Sequence, residues 1–550
     1  MKSRGIRLAV VALVAGGGLA LIPGAIGGSA GHQASAAPVV TVYPPGTPGI
    51  VSPQPAGASP QSSTAQTKPN PRQPRRASTH ATSSPALAIP VAPAPTAVGS
   101  STLQRTFVGV GSLDSAVTNF GAEFEPPDQG LCVGNGFVIE PVNSAYRIYD
   151  TNGRSIAGPF NVNDLFNEGR TEFTSDPRCQ FDPTTNTWFA SILFISADNQ
   201  SSHLDIAVNN TGDPTTPWRQ YRVDTTSLGA PGHSGCPCFG DQPLLGIDQT
   251  NVYISTNEFS ILGPDFNGAQ IYAFSKADLV KVAPTHFVHF DHLDIGGGPA
   301  ASVQPAVSVG TPDAEYFLNS LDPNGTLDNR IGVWAMTQRG AVAAGKSPVL
   351  SSMVIGSETY GLPPKAEQQG SSSLLDSGDD RMQATQFVAG DVWGALDTVV
   401  ATSGDPTARA GAAWFRVHPS VNSTTLTGAV IGQQAYVVSP GNYLLYPAIA
   451  ANGSGGAAMV VTLSGARRYA SADYAVLSPG QSNFGPAHES AHGTGPYDPN
   501  AGRWGDYSWA TLDPGSGSIW MATEYMPPTS FQTTDGRRNW GTRVAEVSVR

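Results

Sequence analysis

A histidine and glutamate string near the C-terminus has the most defined chemical spacing in the chain. His488, Glu489 and His492, followed by Gly495 and Asp498, match the zinc-protease form His-Glu-x-x-His-x-x-Gly-x-x-Asp letter for letter. In that chemistry two histidines one helical turn apart bind zinc, and the glutamate is the general base for a zinc-bound water. The string therefore indicates a metal site only if it lies on a helix.

The residues around this string oppose such a helix. Gly485-Pro486 comes just before it and Gly493-Thr494-Gly495-Pro496 just after it. Because proline and glycine are poor in helix interiors, room remains for about one helical turn. Ser490 also stands where a bulky apolar residue is usual. A zinc protease, with the two histidines and the aspartate as ligands, is the remote alternative for function.

A second candidate metal site is a short acidic loop. Asp322, Asn324 and Asp328 resemble half of a calcium-binding loop, but the distal glutamate that closes the cage is missing. Asp, Pro, Asn and Gly in succession also form an ordinary β-turn. We expect the turn, and calcium is the one cofactor that the sequence leaves open.

Three histidines follow one another at intervals of three, at His286, His289 and His292. On a strand, the middle ring of such a set points to the opposite face from the other two. We therefore interpret these histidines as wall or surface residues rather than as a site.

Four cysteines are present, and in an exported protein they are expected to be oxidised. Cys132 and Cys179 occupy matching places in two copies of a repeat described below, and Cys236 and Cys238 flank a proline in a glycine-rich loop. We predict the disulfides Cys132–Cys179 and Cys236–Cys238. A metal site is the alternative, but it needs ligands that His233 alone supplies poorly.

An aspartate opens a phrase that recurs along the chain. Asp176, Asp241 and Asp506 are each followed by an apolar stretch, a second aspartate, a turn and an aromatic strand. Degenerate copies begin at Asp128, Gln304, Asp380 and Tyr446. The starts are roughly 50 to 80 residues apart, in and above the range of propeller blades of about 40 to 50 residues.

The elements between these starts are strands. Continuous apolar runs such as 251–255 and 519–522 predict strands covered on both faces. In a propeller each blade is covered by its two neighbours, so the runs agree with the repeat. We predict an all-β, seven-bladed β-propeller; an array of β-sandwiches competes but does not require the repeated phrase.

The two ends of the repeat region predict how the ring closes. The last repeat runs out at Val549-Arg550 with its third strand, while 105–110 is a strand-like run that precedes the first repeat. Because an unclosed ring would expose an unpaired edge, we predict that 107–110 pairs beside 544–549.

Residues at one fixed place in the repeat should gather at one mouth of the central channel. Clustered carboxylates repel one another unless they accept hydrogen bonds or bind a cation. The structural interpretation is that each aspartate caps a turn between blades, and the functional one is a ligand or cation site joined by Arg178, with Gln304 in the equivalent place. The candidate ligand-binding ring is Asp128, Asp176, Asp241, Asp506 and Tyr507.

Several phrases carry a resemblance to known proteins. The segments 238–243, 255–259, 267–272, 503–507 and 539–543 look like those of a family of uncharacterised secreted bacterial β-propeller proteins. More distantly, Gly505-Asp506-Tyr507 is similar to the closing repeat of sialidase-like propellers. The sialidase Ser-x-Asp-x-Gly-x-Thr-Trp box is not met, since 320–326 and 511–515 are near misses. No arginine triad or nucleophile is assigned, and the resemblance does not carry sialidase activity over.

The N-terminal region predicts export. Lys2, Arg4 and Arg7 precede the apolar run 8–22, and Ala34-Ser35-Ala36 is a small-residue cleavage site, so residues 1–36 read as a secretory signal peptide. Residues 37–103, rich in Pro, Ser, Thr and Ala, predict a disordered linker. Residues 104–550 form the predicted propeller domain, without a membrane span in the mature protein.

Composition narrows the function classes. Only 13% of residues are charged while glycine numbers 62 and proline 46, a balance that suits short strands and tight turns. The net charge of −12 argues against nucleic acid, whose phosphates require Lys and Arg. We expect a secreted or wall-associated monomer that binds extracellular glycan or cell-wall polymer. The alternative is a carbohydrate-active hydrolase or lyase with paired carboxylates, for which no catalytic residue is assigned.

Overall fold

The computed structural model of the chain is all-β. It describes residues 39–43, 49–51, 66–67, 87–95, 101–121, 123–227, 233, 235–321, 327–497, 503–528 and 539–550. The predicted signal peptide lies outside these ranges. The helical segments of the described residues are Ser112–Thr118, Val162–Leu165, Lys276–Val280 and the 3-10 turn Arg339–Ala344. None of these helices has the length and apolar character needed to cross a membrane.

The strands form a β-propeller in which antiparallel groups of four follow one another along the chain. The first group comprises Cys132–Gly134, Phe137–Val142, Ala145–Asp150 and Ser155–Phe160. The second comprises Phe173–Asp182, Thr187–Ile195, Ser202–Asn209 and Trp218–Asp224. The third comprises Cys238–Ile247, Asn251–Ser260, Phe266–Ser275 and Phe287–Asp291.

The later groups repeat this plan. The fourth comprises Gln304–Pro305, Glu315–Ser320, Asp328–Thr337 and Val349–Tyr360. The fifth comprises Met382–Val388, Asp391–Thr402, Asp405–Val421 and Leu426–Val437. The sixth comprises Tyr443–Ala451, Ala457–Gly465, Arg468–Leu477 and His488–Ala491. The seventh comprises Trp509–Leu512, Ile519–Tyr525, Gly541–Val549 and Ser101–Gly111.

Hydrogen bonding does not keep all of these groups apart as the predicted seven sheets. The two-residue strand Val307–Ser308 runs parallel to both Cys238–Ile247 and Met382–Val388. The third and fifth groups therefore belong to one eleven-stranded sheet, and five groups are separate sheets. The physical reason is the short first strand of the fourth group, Gln304–Pro305, after which the chain pairs with both neighbours.

The first strand of each group lies on the inside of the propeller. Each first strand contacts the first strand of the next group, and Trp509–Leu512 contacts Cys132–Gly134. The first strands therefore surround a common axis, which is where a repeat-wide residue would be concentrated.

The hydrophobic core lies between the faces of neighbouring groups. Trp393 and Trp414 of the fifth group stack with ring centroids 5.8 Å apart, and they pack with Leu444 and Met459 of the sixth. These side chains are all buried. Burial of one large apolar side chain is worth roughly 1.5 to 3 kcal/mol, and burial on both faces explains why the strands are continuous apolar runs.

Segments before the first group pair with the propeller strands. Ser101–Gly111 pairs antiparallel with Gly541–Val549, with Phe107 opposite Val544. The Phe107 ring lies 5.1 Å from that of Tyr149 in the first group. Within the predicted linker, short strands pair with propeller strands. Val39–Tyr43 and Gly49–Val51 pair with the outer strands Phe287–Asp291 and Trp218–Asp224, and Val91–Ala92 pairs with the end of Asp391–Thr402, the second strand of the fifth group. Much of residues 37–103 lies outside the described ranges, so the linker stays a prediction.

Both predicted disulfides are confirmed. Cys132–Cys179 joins the first and second groups, with Cα atoms 5.5 Å apart and a sequence separation of 47. Cys236–Cys238 precedes and enters the first strand of the third group, with a separation of 2. The bonds therefore close loops of very different length.

We predict that the Cys132–Cys179 bond stabilises the fold far more than the Cys236–Cys238 bond. The chain-entropy relation gives about 4 kcal/mol for the longer loop and less than about 2 kcal/mol for the shorter. Denaturant unfolding of the paired Cys→Ala variants should show this order. Equal losses would contradict a loop-entropy origin.

Glu140, a buried side chain of the first group, touches the strand that pairs with the C-terminal segment. Its Oε2 accepts the backbone N–H of Val110 at 2.8 Å. The Thr542 hydroxyl lies 2.8 Å from the Val110 carbonyl oxygen and also meets Glu140 Oε1. Burial raises the pKa of Glu140 to about 7, against hydrogen bonds from Thr542 and Val110 that lower it. A protonated Glu140 can donate to Thr542 while Thr542 donates to Val110.

We predict that Glu140→Gln removes a pH dependence of stability. A raised carboxyl pKa contributes stability that is present below about 4.5 and is lost as the pH rises through about 7. The free energies of unfolding of wild type and Glu140→Gln should therefore differ increasingly from pH 5 to 9. At the alkaline end the Gln variant should be more stable by on the order of 3 kcal/mol.

The matched control is Glu546→Gln, which also removes one negative charge from this strand pair, where Glu546 pairs with Arg105. A constant difference between wild type and Glu140→Gln over the whole pH range would contradict the prediction.

Candidate functional site

Three of the repeat starts lie at bulges of the first strands: the predicted Asp176 and Tyr446, and Gln242, which follows the predicted Asp241. Asp176, Gln242 and Tyr446 have left-handed backbone angles, with φ of 60°, 52° and 54°, and each is followed by proline. The strand register shifts at each of these places. Because proline cannot donate to a strand ladder, it occurs in sheets at edges and bulges. The X-Pro pairs of the repeat therefore encode a bulge, and Asp128 shares the conformation with φ 48°.

These bulges carry a conformational cost. A left-handed backbone on a residue other than glycine costs on the order of 1 to 3 kcal/mol and is concentrated at functional sites. Its recurrence in several groups at the same end of the first strand makes that end of the channel, the mouth, the candidate site.

Asn143 connects the first two aspartates at the mouth. Its Nδ2 donates to Asp128 Oδ2 at 2.8 Å and to the Pro126 carbonyl oxygen at 2.9 Å. Its Oδ1 accepts the backbone N–H of Asp176 at 3.0 Å. All these groups are buried, so Asp128 serves in part as the acceptor that fixes the bulge of the next group, in line with the structural interpretation.

Tyr507 joins the second aspartate to an arginine. Its hydroxyl donates to Asp176 Oδ1. The guanidinium carbon of Arg178 lies 3.4 Å from the Tyr507 ring centroid and 4.8 Å from that of Trp509. Burial raises the pKa of Tyr507 well above its usual value, so the phenol stays neutral. The buried Arg178 guanidinium is therefore stabilised by cation–π attraction to two aromatic rings.

Two further arginines reach the mouth from the fifth and seventh groups. Arg381 makes a bidentate pair with Asp379, with both N···O distances 2.6 Å, and donates to Gln242 Oε1 at 2.6 Å. Arg503 forms an ion pair with Asp506. Sequence reasoning assigned neither arginine to a site.

Electrostatic interactions place these arginines around shared carboxylates. Burial lowers the pKa of Arg381, but the negative charges of Asp379, Asp506 and Asp241 raise it by more, so the pKa lies above its usual value. Burial also lowers the pKa of Arg503, but the negative charges of Asp506 and Asp128 raise it by more, so this pKa too lies above its usual value. Asp506 therefore acts on two cations, and the predicted Asp128, Asp241 and Asp506 belong to one electrostatic cluster.

Burial raises the pKa values of two other carboxyl groups beside this cluster. Burial raises the pKa of Glu524 well above its usual value, although its Oε2 accepts the Gly505 N–H at 2.7 Å. Burial likewise raises the pKa of Asp397, which accepts the Tyr446 N–H at 2.8 Å. Acid and base pairs are built from carboxyl groups whose environments push their pKa values apart.

Further along the axis lies a cavity of about 180 Å³. It is lined by residues of several groups, among them Asp182, Gln304, Thr385, Trp509 and Leu512. Gln304, the predicted equivalent of the opening aspartates, belongs to this cavity and donates to the Pro305 carbonyl oxygen at 3.4 Å.

The zinc-protease string does not have the geometry its chemistry requires. His488–Ala491 is a strand of the sixth group, and no helix is present there. Two histidines four apart on a strand are separated by roughly 13 Å along it, whereas the motif needs them on one helical turn. The His492 ring instead meets Glu489 Oε2 at 3.0 Å. Glycines and prolines on both sides account for the extended conformation, and Asp498 lies outside the described residues.

The acidic loop proposed for calcium is described only at its end. Asp322 and Asn324 lie outside the described residues. Asp328 pairs with Arg330 through contacts of 3.0 and 2.7 Å. Its carboxylate is therefore neutralised by a side chain of the same strand, and the calcium prediction stays untested.

The three arginines of the mouth each lie close in sequence to an aspartate of the repeat, although at different offsets. Arg178 lies two positions after an opening aspartate, Arg381 directly after Asp379-Asp380, and Arg503 three positions before Asp506. An arginine within three residues of the repeat's aspartate thus occurs in three groups. Only the fold shows that the three converge.

Comparisons with known proteins give fold-level likeness at low similarity. No protein-family model matches the chain, and no curated protein does. A Dyadobacter fermentans protein of unknown function is 13% identical, with 82% of this chain and 99% of that chain covered and a TM-score of 0.30. The GH93 α-L-arabinofuranosidase of Fusarium graminearum is 10% identical, with 81% and 98% covered and a TM-score of 0.35.

A viral surface protein is similar at the same level. The haemagglutinin-neuraminidase ectodomain of parainfluenza virus 5 is 9% identical, with 69% of this chain and 82% of that chain covered and a TM-score of 0.35.

We predict that Asp379→Asn destabilises the fold by about 3 kcal/mol, because it leaves Arg381, whose side chain is largely buried, without its bidentate partner. Asp506→Asn should cost less, since Arg503 keeps Asp128 nearby. Denaturant unfolding of the single variants measures both losses.

Asp405→Asn is the control, because its pair with Arg409 is more exposed, with Asp405 35% accessible, and exposed pairs contribute about 0 to 1 kcal/mol. Equal losses in Asp379→Asn and Asp405→Asn would contradict a buried charge cluster.

Proposed function

We propose that the chain is an extracellular β-propeller of seven blades that binds glycan at the mouth where its first strands begin. Each antiparallel group is taken as one blade, with Val307–Ser308 as a bridge between two of them. Ring closure through Ser101–Gly111 is part of the proposal, supported by its pairing with Gly541–Val549. The contacts between successive first strands support the same count.

The observation that carries the function is the convergence of three arginines and several carboxylates at one mouth. Sugar hydroxyls both donate and accept, so they match carboxylates that accept and guanidinium groups that donate in a fixed fork. Arg381 and Asp506 are the most accessible of the cluster, with side chains 14% and 18% exposed. We assign these two residues to ligand contact and the buried Asp128, Asp176 and Tyr507 to positioning.

Charge balance favours a neutral, hydroxyl-rich ligand over an anion. Arg381 and Arg503 each have a carboxylate partner at short range, and further carboxylates surround them. The chain as a whole has a net charge of −12. A phosphate or nucleic acid needs an excess of positive charge to release counterions, which this mouth does not provide.

A second candidate function is glycoside hydrolysis or elimination. It is favoured by one observation, the raised pKa of the buried Glu524 beside the carboxylates Asp128 and Asp506. A protonated carboxyl could act as acid and an ionised one as base or nucleophile. Glu524 is only 2% exposed, so substrate would have to reach a buried group, and we place binding first.

An oxidising compartment fits the cysteines. All four are paired, and structural disulfides persist in secreted proteins. Together with the signal-like sequence of residues 1–36, this supports the proposal that the protein works outside the cell.

The test is a glycan array that includes wall polysaccharides, followed by calorimetry on any hit. We expect wild type to bind, and Asp506→Asn and Arg381→Gln to weaken binding at least tenfold, because each removes a polar contact. Asp405→Asn, on the surface away from the first strands, should bind like wild type. Undiminished binding by both mouth variants would refute the assigned site.

Hydrolysis is tested separately on the same glycans by release of reducing ends. Release that is abolished in Glu524→Gln, with binding retained, would establish the second candidate over the first. Binding without release supports the binding module.

A further inference from the structure

A second polar cluster lies in the third group, near its outer strand. His233 lies between two carboxylates, with Nε2 2.9 Å from Asp291 Oδ2 and Nδ1 in contact with Glu258 Oε1. The His233 side chain is fully buried, and Glu258 and Asp291 are 1% and 2% exposed. Histidine between two buried carboxylates is an unusual arrangement that calls for a physical explanation, since buried charges must be paired.

A second histidine completes the cluster. His292 Nε2 lies 3.9 Å from Asp291 Oδ2, and the His292 and His233 rings are 5.0 Å apart and nearly perpendicular. His292 has a left-handed backbone, with φ 52°, which costs on the order of 1 to 3 kcal/mol. Its side chain is 38% exposed, so the cluster is open to solvent on this side.

The spacing of the donor atoms suits a small metal ion. One ligand atom each from His233, Asp291 and His292 lies within 4.8 Å of the others. Zinc bonds of about 2.0 to 2.2 Å in tetrahedral geometry separate two donors by roughly 3.3 Å. The observed separations of 2.9 and 3.9 Å lie on either side of that value.

The surroundings of His233 are those of a metal ligand. A metal-binding histidine usually gives its second ring nitrogen to a carboxylate that is itself hydrogen-bonded. Here Glu258 faces Nδ1 of His233, Asn267 Nδ2 donates to Glu258 Oε1 at 2.8 Å, and the Gln270 amide donates to Glu258 Oε2. Glu258 is therefore held to orient the His233 ring.

A similar cluster of one histidine and two carboxylates at the second group is neutralised by an arginine of the chain itself. Glu168, His203 and Asp205 also lie together, but Arg222 forms ion pairs with both carboxylates. Among the described residues, the ion pairs of Glu258 and Asp291 involve histidines and no lysine or arginine.

We propose that His233, Asp291 and His292 bind a divalent transition-metal ion of the zinc type, with Glu258 as the positioning residue for His233. Two imidazoles and a carboxylate are borderline donors that suit zinc, and three protein ligands leave one coordination position for water. Cys236 lies nearby but its sulfur is engaged in a disulfide and does not provide a thiolate.

The metal would tie the segment that carries the Cys236–Cys238 bond to the outer strand Phe287–Asp291.

The competing occupant is a proton. Burial alone would lower the pKa of His233, but hydrogen bonds with Asp291 and Glu258 raise it to about 10, so an imidazolium could bridge the two carboxylates without metal. The two occupants differ in metal content, which is measurable.

The experiment is titration of the chelator-treated full chain with Zn²⁺ at neutral pH by calorimetry, with metal content measured after gel filtration. We expect one equivalent to bind and to raise the thermal midpoint. His292→Gln, a change at a half-exposed side chain, should weaken binding at least tenfold and abolish the Zn²⁺-dependent rise. Glu258→Gln should weaken binding 10- to 100-fold, the range for residues that orient a ligand.

His286→Gln is the matched control, because His286 is similarly exposed and pairs with Asp278 outside the cluster; it should bind like wild type. Absence of stoichiometric Zn²⁺ binding by folded wild type would overturn the proposal in favour of the imidazolium bridge. Undiminished binding by a folded His292→Gln variant would overturn the assigned ligand set. Neither result depends on whether the mouth binds glycan.

Discussion

The structure depends on neutralising charge in a confined space. The first strands of the propeller converge at the mouth, where Asp128, Asp176 and Arg178 are almost completely buried. A buried charge is tolerated only when it is paired and hydrogen-bonded. Each arginine of the mouth accordingly lies against a carboxylate or an aromatic face, and each bulge supplies a place where backbone amides and side chains meet. The polar mouth thus constrains how the groups are arranged around the axis.

The apolar faces stabilise the propeller, whereas the bulges lower its stability. The faces of neighbouring groups carry the hydrophobic burial that holds the propeller together, as in the contact of Trp393 and Trp414 with the sixth group. The left-handed residues in the first strands lower the free energy of unfolding. Local strain of this kind persists only where the surrounding packing fixes it, which the buried faces on both sides provide. A site can therefore be built from unfavourable backbone without loosening the fold.

The repeat and the apolar runs were sufficient to predict a propeller, because periodic burial is visible in the sequence. Both disulfides were predicted from the positions of the cysteines in the repeat and in a glycine-rich loop. The opening aspartates were predicted to gather at a ligand site. Asp241 and Asp506 act on Arg381, and Asp506 and Asp128 act on Arg503, while the ligand site stays a prediction. The roles of Arg381 and Arg503 were missed, since they lie at different offsets from the repeat and meet only across groups. The metal candidate was missed for a similar reason: His233 and His292 are far apart in sequence, while the well-spaced His488 and His492 lie on a strand.

The pairing of Ser101–Gly111 with Gly541–Val549 has a consequence for how the chain folds. The contact between Arg105 and Glu546 spans 441 positions, and the entropy of closing so long a loop must be overcome before the pairing gains any free energy. The earlier strand must wait, unpaired, until its distant partner is available. While it is unpaired, this strand presents an open edge that can pair with another chain.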